Sequence, residues 1–195
     1  FYQSNSFGMG NKDAVFRTGF NVSNIGPRLK YDEGGQKDFI PTNLRVGSGI
    51  DIILDESNVL GLNIEFSKLL VPSPIAFYDE NNNLYYRQPD VSFFKGILES
   101  FGDAPNGTEE ELKEITWAIG TEYKFGENFA LRTGYFNESE EKGSRRYLTF
   151  GAGFKYNNTN IDISYLSSTS KIRNPLENTL RFSLTFNFNS LSGGA

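Results

Sequence analysis

Apolar and polar residues alternate with a period of two along most of this chain, and the longest unbroken run is Ile115 to Phe136. Trp117, Ile119, Thr121, Tyr123 and Phe125 take one parity, with Ala118, Gly120, Glu122 and Lys124 on the other. The return run sets Phe129, Leu131, Thr133 and Tyr135 against Ala130, Arg132 and Gly134. Successive side chains of a β-strand point to opposite faces, so the pattern predicts two strands with unlike faces, joined at Gly126-Glu127-Asn128. The apolar faces run from aromatic end to aromatic end over roughly ten residues, the span of a tilted outer-membrane barrel strand. A water-soluble sandwich would favour aliphatic core positions instead.

The same alternation predicts strands at Ala14 to Ser23, Leu44 to Leu54, Leu60 to Ser67, Leu148 to Tyr156, Ile161 to Tyr165 and Leu180 to Phe188. A short strand at Phe1 to Gln3 and a polar link precede them. From Val71 to Glu114 the alternation is absent. There Val91, Phe94, Leu98 and Phe101 recur at helical spacing behind Asp90, the expected N-cap, and Phe93 and Ile97 widen the stripe. Thr108-Glu-Glu-Glu111 has the form of a capping box that opens a second short helix.

Links between strands are short at 55–58, 126–128 and 157–160, and long at 26–43, 71–114, 137–146 and 167–178. Outer-membrane barrels have short periplasmic turns and long external loops, so the long links are expected outside the cell, with the last strand ending in the periplasm at Phe188. The expected fold is therefore all-β, a transmembrane antiparallel β-barrel. Residues 1–189 hold about eight to nine of its strands, with 71–114 as a long extracellular loop. Because bacterial barrels have even strand numbers, further strands are expected before Phe1, and the chain reads as a mature fragment. Residues 190–195 read as a flexible tail or a cloning remnant.

Composition narrows the chemistry. The 195 residues include no Cys and no His, which removes disulfides, thiolate sites, the common metal sites and His-based triads. A net charge of −5 and a pI near 4.9 argue against a nucleic-acid footprint. The mean hydropathy of −0.44 would suit a soluble protein, but alternating strands hide from that measure because half of each is polar.

The polar parity collects both signs: Arg17, Arg45, Asp51, Glu65, Glu122, Lys124, Arg132, Lys155, Asp162 and Arg181. If Phe125 pairs with Phe129, Glu122 falls opposite Arg132; if Tyr156 pairs with Ile161, Lys155 falls opposite Asp162. Both pairs read as neutralisation inside a lumen. Interior glycines such as Gly49, Gly61, Gly134 and Gly153 imply that something packs closely against the wall.

Asp79-x-Asn81-x-Asn83 with Asp90 loosely resembles a calcium loop, but Leu84 stands where the sharp turn needs glycine. A solvated turn is the expectation, with no metal. Glu109-Glu110-Glu111 and Glu138-Glu140-Glu141 read as solvated loop carboxylates, so no catalytic residue and no cofactor are expected. Two readings stand for the aromatic loop segment of Phe77, Tyr78, Tyr85, Tyr86, Phe93, Phe94, Ile97, Leu98 and Phe101: a cap over the barrel mouth, or an extracellular partner-binding surface.

Six stretches, in order, resemble the PorV family of type IX secretion outer-membrane barrels, itself similar to the FadL family of fatty-acid transporters. They are Phe20-Asn-Val-Ser-Asn-Ile-Gly-Pro27, Pro41-Thr-Asn-Leu-Arg-Val-Gly47, Lys68-Leu-Leu-Val-Pro72, Ser100-Phe-Gly-Asp-Ala-Pro105, Glu110-Glu-Leu-Lys-Glu-Ile115, and Asn174-Pro-Leu176 followed by Thr179-Leu-Arg-Phe-Ser183. The resemblance is to the C-terminal part of that family. It implies a fourteen-stranded barrel in the outer membrane of a Gram-negative-type bacterium and a role without catalysis. The implied role is a shuttle that binds the C-terminal signal domain of secreted cargo and passes it from the translocon to an attachment complex with a PorU-like sortase. The alternative is a FadL-like transporter of hydrophobic molecules. Outer-membrane lipid is an expected partner of either.

Overall fold

The computed structural model describes residues 1–30, 33, 35–170 and 177–187. The expected strand end at Phe188, the Pro175 loop, the Asn174 to Leu176 stretch and the 190–195 tail lie outside the described residues. In chain order the elements are β1 (Tyr2–Gln3), β2 (Phe7–Met9), β3 (Lys12–Ser23), β4 (Leu29–Lys30), β5 (Lys37–Asp38), β6 (Asn43–Ile53), β7 (Asn58–Leu69), β8 (Ile75–Tyr78) and β9 (Leu84–Arg87). Two helices follow, α1 (Phe93–Glu99) and α2 (Thr108–Lys113), then β10 (Thr116–Phe125), β11 (Phe129–Asn137), β12 (Arg146–Tyr156), β13 (Thr159–Ser168) and β14 (Thr179–Phe186). Strand accounts for 56% of the described residues and helix for 7%, so the fold is all-β.

The chain divides into two compact units, one of residues 1–19, 47–65 and 117 onward, the other of 20–46 and 66–116. The first is built on a ten-stranded sheet of order β1-β3-β6-β7-β10-β11-β12-β13-β14, with β2 paired to β3. The pairings with a defined register are all antiparallel, as the short links at 10–11, 126–128 and 157–158 require of their own strands. Among the described residues no ladder joins β14 to β1 or β2.

The polarity of this sheet is inverted relative to a soluble one. Its apolar parity is the exposed face: Ile119 is 48% exposed, Leu131 49%, Phe150 51% and Phe182 69%. On the charged parity the side chains of Asp51 and Glu122 are only 21% and 25% exposed, while Arg132 and Lys124 are open at 43% and 47%. Buried apolar residues among those described are few and mostly small: Ala14, Leu70, Ala104 and Ala130. A sheet with this surface meets an apolar medium better than it meets water.

The expected glycine gaps are filled by the charges and amides of neighbouring strands. A Cβ at Gly61 would stand 3.0 Å from Asp51 Oδ1, and one at Gly153 would stand 2.7 Å from Asp162 Oδ1 and 2.9 Å from Arg132 Nη1. Long polar side chains thus lie flat across the strand beside them.

One predicted pair is overturned. Tyr156 pairs with Thr159, not Ile161, so Lys155 faces Asn160 while Asp162 faces Gly153. The turn uses only Asn157 and Asn158, with Asn157 at φ 50°, a left-handed conformation that asparagine tolerates and that suits a two-residue hairpin. The four-residue turn read from composition shifted the register by two residues.

Short elements also escaped the alternation. The link expected at 4–13 holds the β2–β3 hairpin, turned at Gly10 with φ 66°. The loop expected between 71 and 114 holds the β8–β9 hairpin, with Phe77 opposite Tyr85 and Tyr78 opposite Leu84. Adjacent aromatics at Phe77-Tyr78 and Tyr85-Tyr86 put apolar residues on both faces, which erases a period of two.

Replacing Gly153 by Val is expected to displace Arg132 or Asp162 and to lower stability by about 1–3 kcal/mol, the usual cost of overpacking. Gly8, where a Cβ meets nothing within 4 Å, should tolerate Ala with little effect. Urea titration of the folded protein measures both.

Candidate functional site

Two features carry chemistry, one in each unit. On the sheet's polar face Arg132 is a hub: its Nε lies 2.5 Å from Glu122 Oε2, and its Nη1 reaches Asp162 at 2.5 Å across β12. Glu122 sits opposite Arg132 on the adjacent strand and also pairs with Lys124 at 3.2 Å. A second pair, Arg17–Asp51 at 2.6 Å, joins β3 to β6. Arg17, Glu122 and Arg132 border a concavity of about 630 Å³ whose lining also includes Ser48, Asn63 and Thr149. Both signs line it, so it lacks the single-sign ring of an ion-selective filter.

In the other unit, α1 begins at Ser92, whose side chain accepts from Lys95 N. The expected cap, Asp90, is taken by a different partner: Arg28 Nη1 donates to Asp90 Oδ1 at 2.7 Å. The same guanidinium donates to Lys37 O at 2.6 Å and lies 4.8 Å from the centroid of Phe39. The capping box at Thr108 is corrected as well. Gly107, at φ 73°, is the N-cap, and Glu110 Oε2 accepts instead from Asn106 N at 3.0 Å.

The helix sits with its small residues inward. A Cβ at Gly96 would lie 2.7 Å from Phe39 Cε1 and 3.3 Å from Pro72 Cδ, and Ser100, one turn on, is fully buried. The apolar stripe therefore turns outward, with Phe94 76% exposed, Leu98 74% and Phe101 51%. Phe93 and Ile97, on the flank, are half-buried. Phe77 stacks on Tyr85 at 5.6 Å in the β8–β9 hairpin, and Tyr78 and Tyr86 are exposed there. The sequence-predicted loop residues thus occupy one helix and one hairpin of the same unit, with Phe101 just past the helix.

The carboxylates expected to be solvated are only partly so. Lys68, buried at the end of β7, lies 2.6 Å from Glu111 and 2.8 Å from Glu114. Glu138 is buried and takes both Nε and Nη2 of Arg145 at 2.7 Å, a two-pronged contact that holds the link between β11 and β12. That contact raises the Arg145 pKa. Spacing in sequence could not reveal either cation, because Lys68 is distant along the chain and Arg145 closes a loop of unknown shape. Both clusters tie segments together.

The Asp79 motif is a turn. Its carboxylate accepts from Asn83 N at 2.7 Å, Asn81 N at 2.9 Å and Asn83 Nδ2 at 2.9 Å, closing the β8–β9 hairpin. Hydrogen bonds from Asn83, side chain first and then backbone, hold the Asp79 pKa below its ordinary value. No cluster of three acidic side chains arranged for a metal occurs among the described residues.

Residues 1–76 match the profile of the family described as Type IX secretion system protein PorV. Those 76 of the 195 residues are similar to that family. No curated protein matches the chain. Three of the six resembling stretches, at 20–27, 41–47 and 68–72, fall inside the PorV match, and the other three lie beyond it. The matched segment ends within β8, so all of the loop aromatics lie outside it.

Arg132→Met leaves Glu122 and Asp162 without their shared cation and is expected to cost about 1–3 kcal/mol, the range for hydrogen bonds to charged groups. Lys155→Met, facing an amide, should cost far less. A double-mutant cycle of Arg132→Met with Glu122→Gln is expected to show positive coupling in urea titrations. For the hairpin, a depressed aspartate pKa means that its contribution is complete above the ordinary value of 3.8 and is lost as pH falls through the lower folded value. Amide exchange of residues 75–87 should therefore quicken on acidification below that point, and Asp79→Asn should flatten the dependence.

Proposed function

We propose that the protein is a non-catalytic shuttle barrel of the type IX secretion system, binding the C-terminal signal domain of secreted cargo at its extracellular loop and passing it to the attachment complex. One observation carries this reading: α1 seats itself by Gly96 and its C-cap Ser100 and turns Phe94 and Leu98 outward, with Phe101, just past the cap, exposed beside them. A helix that merely capped a barrel mouth would bury that stripe. Large apolar side chains presented on a fixed element are the usual anchors of protein recognition.

The inverted polarity of the ten-stranded sheet supports an outer-membrane location, its aromatic face meeting lipid and its charged face lining the lumen of a FadL-like barrel. The alternation of short turns and long links supports placing loop 71–114 outside the cell. Partners on this reading are cargo signal domains, the translocon, a PorU-like sortase in the attachment complex, and outer-membrane lipid. The alternative, a transporter of hydrophobic molecules, calls for an apolar cavity: the concavity on the polar face mixes Arg17, Glu65, Glu122 and Arg132 with Ile64, Tyr135 and Phe136, and a second of about 390 Å³ bordered by Leu62, Ile119, Tyr135 and Leu148 supports that reading.

Replacing Phe94, Leu98 and Phe101 by Ser in the full-length protein should leave heat-resistant migration of the barrel unchanged. The same variant should weaken capture of a cargo signal domain by about tenfold or more, since each anchor contributes on the order of 1 kcal/mol. Unchanged affinity with an assembled barrel would sink the docking reading. Altered entry of small solutes with cargo affinity intact would favour the cap.

A further inference from the structure

The β8–β9 hairpin forms a two-stranded sheet by itself, and all eight of its residues are exposed. Asp79 N donates to Asn83 O at 3.0 Å, so those residues form a hydrogen-bonded pair. Alternation along an antiparallel ladder then makes Phe77–Tyr85 and Ile75–Arg87 hydrogen-bonded pairs too. Ala76 and Tyr78 consequently aim their N–H and C=O groups away from β9, along the outer edge of β8. No strand among the described residues pairs with that edge. An isolated hairpin is marginal in water, and a third strand is what stabilises it.

Charge indicates what such a strand carries. Residues 71–114 hold nine acidic side chains against three basic ones, a net of −6, while the whole chain carries −5. Counting Lys68 and Arg28, which pair into this segment, still leaves −4. Asp79 and Glu80 stand exposed at the hairpin tip. Lysine or arginine would meet this field favourably and could lie over the exposed rings of Tyr78 and Tyr86. A second copy would bring the same negative excess and be repelled.

We infer that β8 is an edge on which an extended, lysine- or arginine-bearing segment of a partner protein adds as a third strand. Main-chain hydrogen bonds to Ala76 and Tyr78 supply the affinity, and alternate side chains of the added strand meet Phe77 and Tyr85 on one face and Tyr78 and Tyr86 on the other. This rests on the docking reading above and specifies the main-chain edge that serves it.

The test uses the full-length protein and a cargo signal domain as probe. Ala76→Pro removes an outward N–H and spares the ladder to β9, whereas Ala76→Val keeps the edge. Proline should weaken binding by about tenfold or more, a change of roughly 1.4 kcal/mol, and valine by less than about twofold. In the unsubstituted protein, binding should slow exchange of the Tyr78 amide, a readout that does not depend on how the proline variant folds. Salt should weaken binding, and less so in Glu80→Gln. If the α1 serine variant loses binding while Ala76→Pro keeps it, docking stands and the edge inference falls. If both variants bind as tightly as the parent, both readings fall. A Tyr78 amide unaffected by bound probe overturns the edge, as does self-association that Ala76→Pro removes with probe binding intact.

Discussion

Everything in the sheet unit depends on where its charges can go. A β-strand must send half of its side chains to each face, and here the large apolar half faces outward, so the polar half must be satisfied on the other side of the same sheet. Glycines at Gly61 and Gly153 make that possible, because only a missing Cβ leaves room for a carboxylate or guanidinium of the next strand to lie across. Arg132 then holds Glu122 and Asp162 together over a strand that contributes no charge of its own at that level. Such pairs are individually modest when partly solvated. Their role is to make one register cheaper than its neighbours, since a slip by a single residue would turn the charges toward the apolar face.

The loop unit is held by a different device, long cations reaching back to main chain and carboxylates. Arg28 gathers Lys37, Phe39 and Asp90, and Lys68 gathers Glu111 and Glu114. Each joins segments far apart in sequence. A long loop fixed at such posts needs little core of its own, which agrees with how few large side chains it buries.

What could be read from the chain beforehand follows from the range of each signal. The eight long strands and the Glu122–Arg132 register were legible, because period two over ten residues leaves one solution and Gly126 closes a short turn. Lys155 and Asp162 were misplaced because a run of four polar residues, Asn157 to Asn160, does not say which two make the turn. The stripe of α1 was legible as a helix, but its direction was not: Phe93, Phe94, Ile97 and Leu98 crowd one side, and only Phe39 and Pro72 show that the small-residue side faces inward. The buried roles of Glu138 and Lys68 rest on partners that no local pattern announces.

α1 spans seven residues, under two turns, and a helix of that length does not persist in water by itself. Its order is imposed by the seat that Phe39 and Pro72 provide for Gly96, and by Arg28 fastening the residue two places before its cap. Phe94, Leu98 and Phe101 are therefore arrayed before anything arrives to meet them. An encounter with such a surface forfeits little conformational entropy on this side, so even a small area of contact can grip, and can let go again quickly.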